Sequence, residues 1–189
     1  MLCPWRGTDC RPLLLRRRAG RPQLKRDPLG RVHPAMQASR TVVTFQSGVF
    51  NTTERRPYFI NDACYGDDVA RWIISELNLR GIPSDPEPGQ EDFGWYVTYR
   101  PGQAEHQLVL GYRPGDDKDP AVWLGWVERN AGALASLLGA RRRGIEPVAV
   151  EVIHDILSRG EFISRVRWYR KSDFDAGNEA NASTQPDAA

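Results

Sequence analysis

EDFGWYVTYRPGQAEHQLVLGYRPGDDKDPAVWLGWVE, residues 91–128, decides the fold. Apolar and polar residues alternate through it between Pro-Gly pairs, and that pattern marks antiparallel strands joined by turns. The spacing predicts three strands, Asp92–Arg100, Glu105–Arg113 and Ala121–Glu128. Arg100-Pro101-Gly102-Gln103 and Arg113-Pro114-Gly115-Asp116-Asp117 are the turns. Side chains alternate across a strand, so Phe93, Trp95, Val97 and Tyr99 share one face, and Gly94, Tyr96 and Thr98 the other. His106, Leu108, Leu110 and Tyr112 oppose Gln107, Val109 and Gly111. Val122, Leu124 and Trp126 oppose Trp123, Gly125 and Val127.

Helices flank this meander. Val69, Ala70, Ile73, Ile74 and Leu77 recur at helical spacing after Tyr65-Gly66-Asp67-Asp68. Asp67 is placed to cap that helix and Asp68 to complement its dipole, while Gly81 is placed as the left-handed residue after its end. Glu146-Pro147 opens a second helix with the stripe Val148, Ala149, Val152, Ile153, Ile156 and Leu157, ended by Gly160. Thr41–Phe45 and Phe162–Tyr169 read as outer strands, and residues 82–91 as a loop. The order β-α-βββ-α-β predicts an α+β domain: two layers, a mostly antiparallel sheet of about five strands, two helices on one face. The other face is left open unless the segment 47–66, which carries Val49-Phe50 and Tyr58-Phe59-Ile60, covers it.

The 189-residue chain is long enough for one domain with tails. Its net charge of +2 hides an asymmetry, because residues 1–40 hold ten Lys/Arg against two acids and leave −6 for the remainder. Residues 1–40 lack hydrophobic periodicity and read as a disordered basic tail, 41–175 as the domain, and 176–189 as a second tail. Composition changes near Met36, so a functional start at Met36 would lose no core residue, and residues 36–175 are expected to melt as the full chain does. Cysteines 3, 10 and 64 give no disulfide framework and no zinc spacing, which favours a reducing compartment such as the cytoplasm. No apolar run approaches the ~18 residues that span a membrane.

Tyr65-Gly66-Asp67-Asp68, Glu91-Asp92-Phe93-Gly94-Trp95-Tyr96 and Gly125-Trp126-Val127-Glu128-Arg129 together resemble a family of uncharacterised bacterial proteins over about residues 45–175. That resemblance supports the domain limits and implies no activity.

Residues able to carry chemistry are few. Glu91 and Asp92 are a carboxylate pair that would serve acid–base chemistry if burial split their pKa values, and they are the candidate centre of a hydrolase or metal-dependent enzyme. Glu151 and His154 have the Glu-x-x-His spacing of a helical metal ligand pair, but the second such helix is missing. His106 with His154 and Cys64 has no metal-ligand spacing, so neither zinc nor any other cofactor is expected. No P-loop, Gly-x-Gly-x-x-Gly or Gly-x-Ser-x-Gly occurs. The basic tail with Arg141, Arg142 and Arg143 offers phosphate contacts for nucleic acid. Aromatic residues on an uncovered sheet face, Tyr96 and Trp123 among them, mark an interaction surface. The reading that follows is a regulatory domain, immunity- or inhibitor-like by fold-level analogy. It binds a protein partner or a second copy of itself and catalyses nothing.

Overall fold

The computed structural model describes residues 39–62, 64–117, 119–130 and 144–186. Its strands are β1 (Val42–Gln46), β2 (Gly89–Glu91), β3 (Gly94–Tyr99), β4 (His106–Arg113), β5 (Val122–Arg129) and β6 (Ser164–Tyr169). Its α-helices are α1 (Asp67–Leu79), α2 (Pro147–Arg159) and the short α3 (Lys171–Asp175). The strands form one open antiparallel sheet in the order β2-β3-β4-β5-β1-β6, an α+β architecture.

The meander pairs as its alternation requires, with Trp95 opposite Leu110, Val97 opposite Leu108, and Leu108 opposite Val127. β1 then inserts between β5 and β6, with Val43 opposite Gly125 on one side and Trp168 on the other. The sheet has a sixth strand where the sequence pattern reads as loop. Residues 89–91 fold back on β3, and Gln90 faces Trp95. So short and polar a strand carries no alternation to detect. The ring of Tyr96 lies over Gly89, where any side chain would collide with it.

One face carries Val43, Phe45, Trp95, Val97, Tyr99, Leu108, Leu110, Trp123, Val127 and Trp168, and α1 and α2 cover it. The helices bury the stripes that define them: Val69, Ala70, Ile73, Ile74 and Leu77 from α1, and Ala149, Val152, Ile153, Ile156 and Leu157 from α2. Tyr99, fully buried, donates its hydroxyl to Ala149 O at 2.8 Å and so ties sheet to helix. Gly81 has φ +69° and ends α1. Its N–H reaches Asn78 O, and the Ile82 N–H reaches Leu77 O, the two bonds that close a helix through a left-handed residue. Asp67 makes no capping bond; it accepts the Tyr58 hydroxyl at 2.6 Å instead. Asp68 accepts the Asn51 N–H, also at 2.6 Å, and burial raises its pKa.

The segment 47–66 packs on the helix-covered side and leaves the second face alone. Phe50 meets Trp72 and Trp123, and Phe59 meets Trp95. The second face is covered in part by the chain after β6, which the sequence pattern assigns to a tail from residue 176. Val42, Leu124 and Tyr169 are buried there against Trp126, Phe174 and Ala182. Residues 179–181 form a 3-10 turn, and Ser183 exchanges both backbone hydrogen bonds with Trp168. Those bonds occupy the outer edge of β6, a common way of closing an edge strand. Trp126 is therefore half-buried on the second face rather than in the main core.

β6 contains a bulge. Thr44 faces Arg167 while Gln46 faces Ser164, so Phe45 opposes two residues. Arg165 within it has φ +53°, the only positive φ at a non-glycine among the described residues.

Candidate functional site

The carboxylates Glu91 and Asp92 lie at the tip of the β2–β3 hairpin and are both exposed. They form no buried acid pair. The hairpin instead anchors the 47–66 segment: Ile60 N–H donates to Gln90 Oε1 at 2.9 Å, and Asn61 Nδ2 donates to Asp92 O at 2.9 Å. Trp95 Nε1 donates to Cys64 O at 2.8 Å, and the Cys64 thiol lies 3.7 Å from Asp92 O. Exposed Ile60 is thereby held at the hairpin tip, and exposed Tyr58 packs edge-on against Trp95 of β3. The Asp67 carboxylate, accepting the Tyr58 hydroxyl, raises the Tyr58 pKa.

His106 and His154 are both hydrogen-bonded into the fold. His106 is fully buried on the covered face. Its Nδ1 sits 3.1 Å from Ala104 O, a carbonyl that only accepts, so Nδ1 carries the proton. Nε2 then accepts the Glu146 N–H at 3.2 Å, the residue that precedes α2. Burial lowers the pKa of the ring. His154, which falls outside the apolar stripe of α2, is nonetheless only partly exposed. Trp168 Nε1 donates to its Nδ1 at 3.1 Å, and Ser158 Oγ lies 3.2 Å from the same nitrogen. Glu151 is exposed on α2. Among the described residues no cluster of three or more His, Cys, Asp or Glu is placed to hold a metal.

Tyr96 and Trp123 occupy opposite faces. Tyr96 is half-buried on the second face, whereas Trp123 is 1% exposed in the main core, so the two cannot share one surface. Arg141, Arg142 and Arg143 lie outside the described residues. No helix among the described residues is long and apolar enough to cross a membrane.

The structure assembles one feature that no single stretch of sequence announces. A half-open cleft of about 440 Å³ lies at the strand ends where β1 and β4 finish and β5 and β6 begin. Its walls are Phe50, Tyr112, Trp123 and Phe162. Phe50 meets Trp123 edge-on at 5.8 Å and Phe162 at 5.5 Å, and Tyr112 tilts against Trp123 at 5.0 Å. The polar lining is Gln46, Ser47, Thr52 and Ser164. Gln46 Nε2 donates to Ala121 O, and Ser164 Oγ donates to Gln46 O. The sequence pattern puts Phe162 in the last strand, which instead begins at Ser164, and what joins Phe162 to Phe50 is tertiary.

Compared with known proteins, the chain matches no family model, and no curated protein and no solved structure is similar to it.

Proposed function

We propose that the domain works by binding a protein partner, through the connection between β1 and α1 and the hairpin tip that braces it. One observation carries this reading. Val49, Tyr58 and Ile60 are 63%, 55% and 68% exposed, half of the exposed large apolar side chains among the described residues, and all lie in that single connection. Large apolar side chains left exposed on one loop favour an interaction role, and binding residues concentrate on loops fixed to a rigid scaffold. This loop is fixed by Asp68, Gln90, Trp95 and the Asp92 carbonyl. Glu91 and Asp92 beside it favour a partner with basic residues around an apolar contact. Such a role is regulatory or inhibitory rather than catalytic, and it suits a reducing cytoplasm in which Cys64 stays a thiol.

The test is capture by the tagged full chain in extract of its own cells, beside the Val49→Asp/Ile60→Asp double variant. Both positions are exposed, so the fold should tolerate the change. Loss of a captured protein in the double variant supports the reading. Capture that ignores both substitutions, or a chain that captures nothing and stays monomeric, ends it.

A further inference from the structure

We infer that the cleft between Phe50, Tyr112, Trp123 and Phe162 is a binding site for an uncharged aromatic molecule that carries a hydrogen-bond acceptor. This site shares residues 47–52 with the connection proposed above as a partner surface, but its test reads the Trp123 indole and can fail while that reading stands.

The indole of Trp123 is the first ground. Buried polar groups are nearly always hydrogen-bonded, and an exception calls for an explanation. The other two buried tryptophans obey the rule, since Trp95 donates to Cys64 O and Trp168 to His154. Trp123 Nε1 has no acceptor among the described residues, although its side chain lines the cleft. Nε1 is buried, so an acceptor brought by a ligand would satisfy it only once the Phe162 wall gives way.

The walls are the second ground. Four aromatic rings, already packed edge-on or tilted, offer the geometry that a further ring completes. About 440 Å³ falls within the ~300–1,000 Å³ of small-molecule sites. The lining decides the charge of the ligand: its polar side chains are Gln46, Ser47, Thr52 and Ser164, all neutral, and no ionised group is present to pair with an ion. An ion entering the cleft would lose part of its hydration and find no charged partner there, whereas a neutral ligand loses less.

Access comes through Phe162, 38% exposed in the stretch between Gly160 and β6. Reaching the indole would require Phe162 to move away from its packing on Phe50 and Trp72.

Three probes of one shape separate the requirements: benzamide (neutral, with an acceptor), benzoate (charged) and toluene (no acceptor). Each is titrated into the 15N-labelled full chain while the indole N–H signals are followed. The Trp123 signal is identified by through-space contacts with the Phe45 and Tyr112 rings, its neighbours at 6.5 Å and 5.0 Å. Benzamide should move that signal downfield and saturably. Benzoate should bind at least about tenfold more weakly. Toluene should leave the indole proton without a downfield shift. Phe162→Ala, at an exposed wall, should keep the fold and weaken benzamide several-fold. The inference is overturned by an absence of saturable movement with benzamide. Benzoate binding as tightly, toluene producing the same downfield shift, or indifference to Phe162→Ala would overturn it as well.

Discussion

Lowering the pH should destabilise the domain through His106. The ring has 0% exposure and is held neutral, donating from Nδ1 to Ala104 O and accepting the Glu146 N–H at Nε2. Burial depresses its pKa below 6.5, outweighing the Ala104 bond and the nearby Glu146 charge that act in the opposite direction. The unfolded chain, with an ordinary histidine, therefore takes up a proton first as pH falls. The stability that neutral His106 contributes is fully present above pH ~6.5 and is lost as pH drops from there to the folded pKa. Within that window the slope approaches about 1.4 kcal/mol per pH unit for one proton. Since a domain has only ~5–15 kcal/mol in all, a loss at that slope over part of the window is readily measured. Urea unfolding of the wild type and of His106→Gln between pH 5 and 8 isolates the effect. Glutamine retains a donor and an acceptor without titrating, and other acid-sensitive groups cancel in the difference. His106→Leu should cost about 2 kcal/mol or more at every pH, because Ala104 O and the Glu146 N–H lose their partner. A His106→Gln curve parallel to wild type across pH 5–7 would refute the assignment of a neutral, bonded ring.

Arg165 holds φ +53° at the β6 bulge, a conformation that a side chain disfavours, so Arg165→Gly should stabilise by about 0.5–1 kcal/mol. A drop in the denaturation midpoint would contradict this. Gly81→Val should destabilise by more than about 1 kcal/mol for conformational reasons alone, because an added Cβ at Gly81 meets nothing within 4 Å; an unchanged midpoint would refute it. Trp126→Ala, at a half-buried site, should cost clearly less than the ~3–5 kcal/mol expected of Trp123→Ala in the core. Equal losses by urea titration would mean that the second face is packed as tightly as the first. Removing residues 176–189 should cost about 1–3 kcal/mol, since the two Trp168–Ser183 bonds and the Ala182 packing go with them; a truncated chain that melts with the full one would show that this cover contributes nothing.

The meander and both long helices were legible because each writes its period into consecutive residues. Trp95, Val97 and Tyr99 alternate with polar or small neighbours, and Ile73, Ile74 and Leu77 fall on one helical stripe. Local backbone geometry fixes those periods, so no distant residue is needed to recognise them. Gly81 was legible for the same reason: it stands where a helix must stop. The sequence alone could not say which meander face the helices cover, because Trp95 and Tyr96, like Trp123 and Trp126, are large on both sides. Packing decided it, through Tyr99 bonding Ala149 and through the ring of Tyr96 lying over Gly89. The insertion of β1 between β5 and β6 was also tertiary, since strand order is a matter of which edges meet and leaves no period. The role of Ser183 was hidden because one backbone pairing with Trp168 needs no particular side chain. The cleft drew its walls from residues 50, 112, 123 and 162, more than a hundred positions from first to last. Side chains so far apart in sequence acquire a common surface only when the sheet brings their strand ends together.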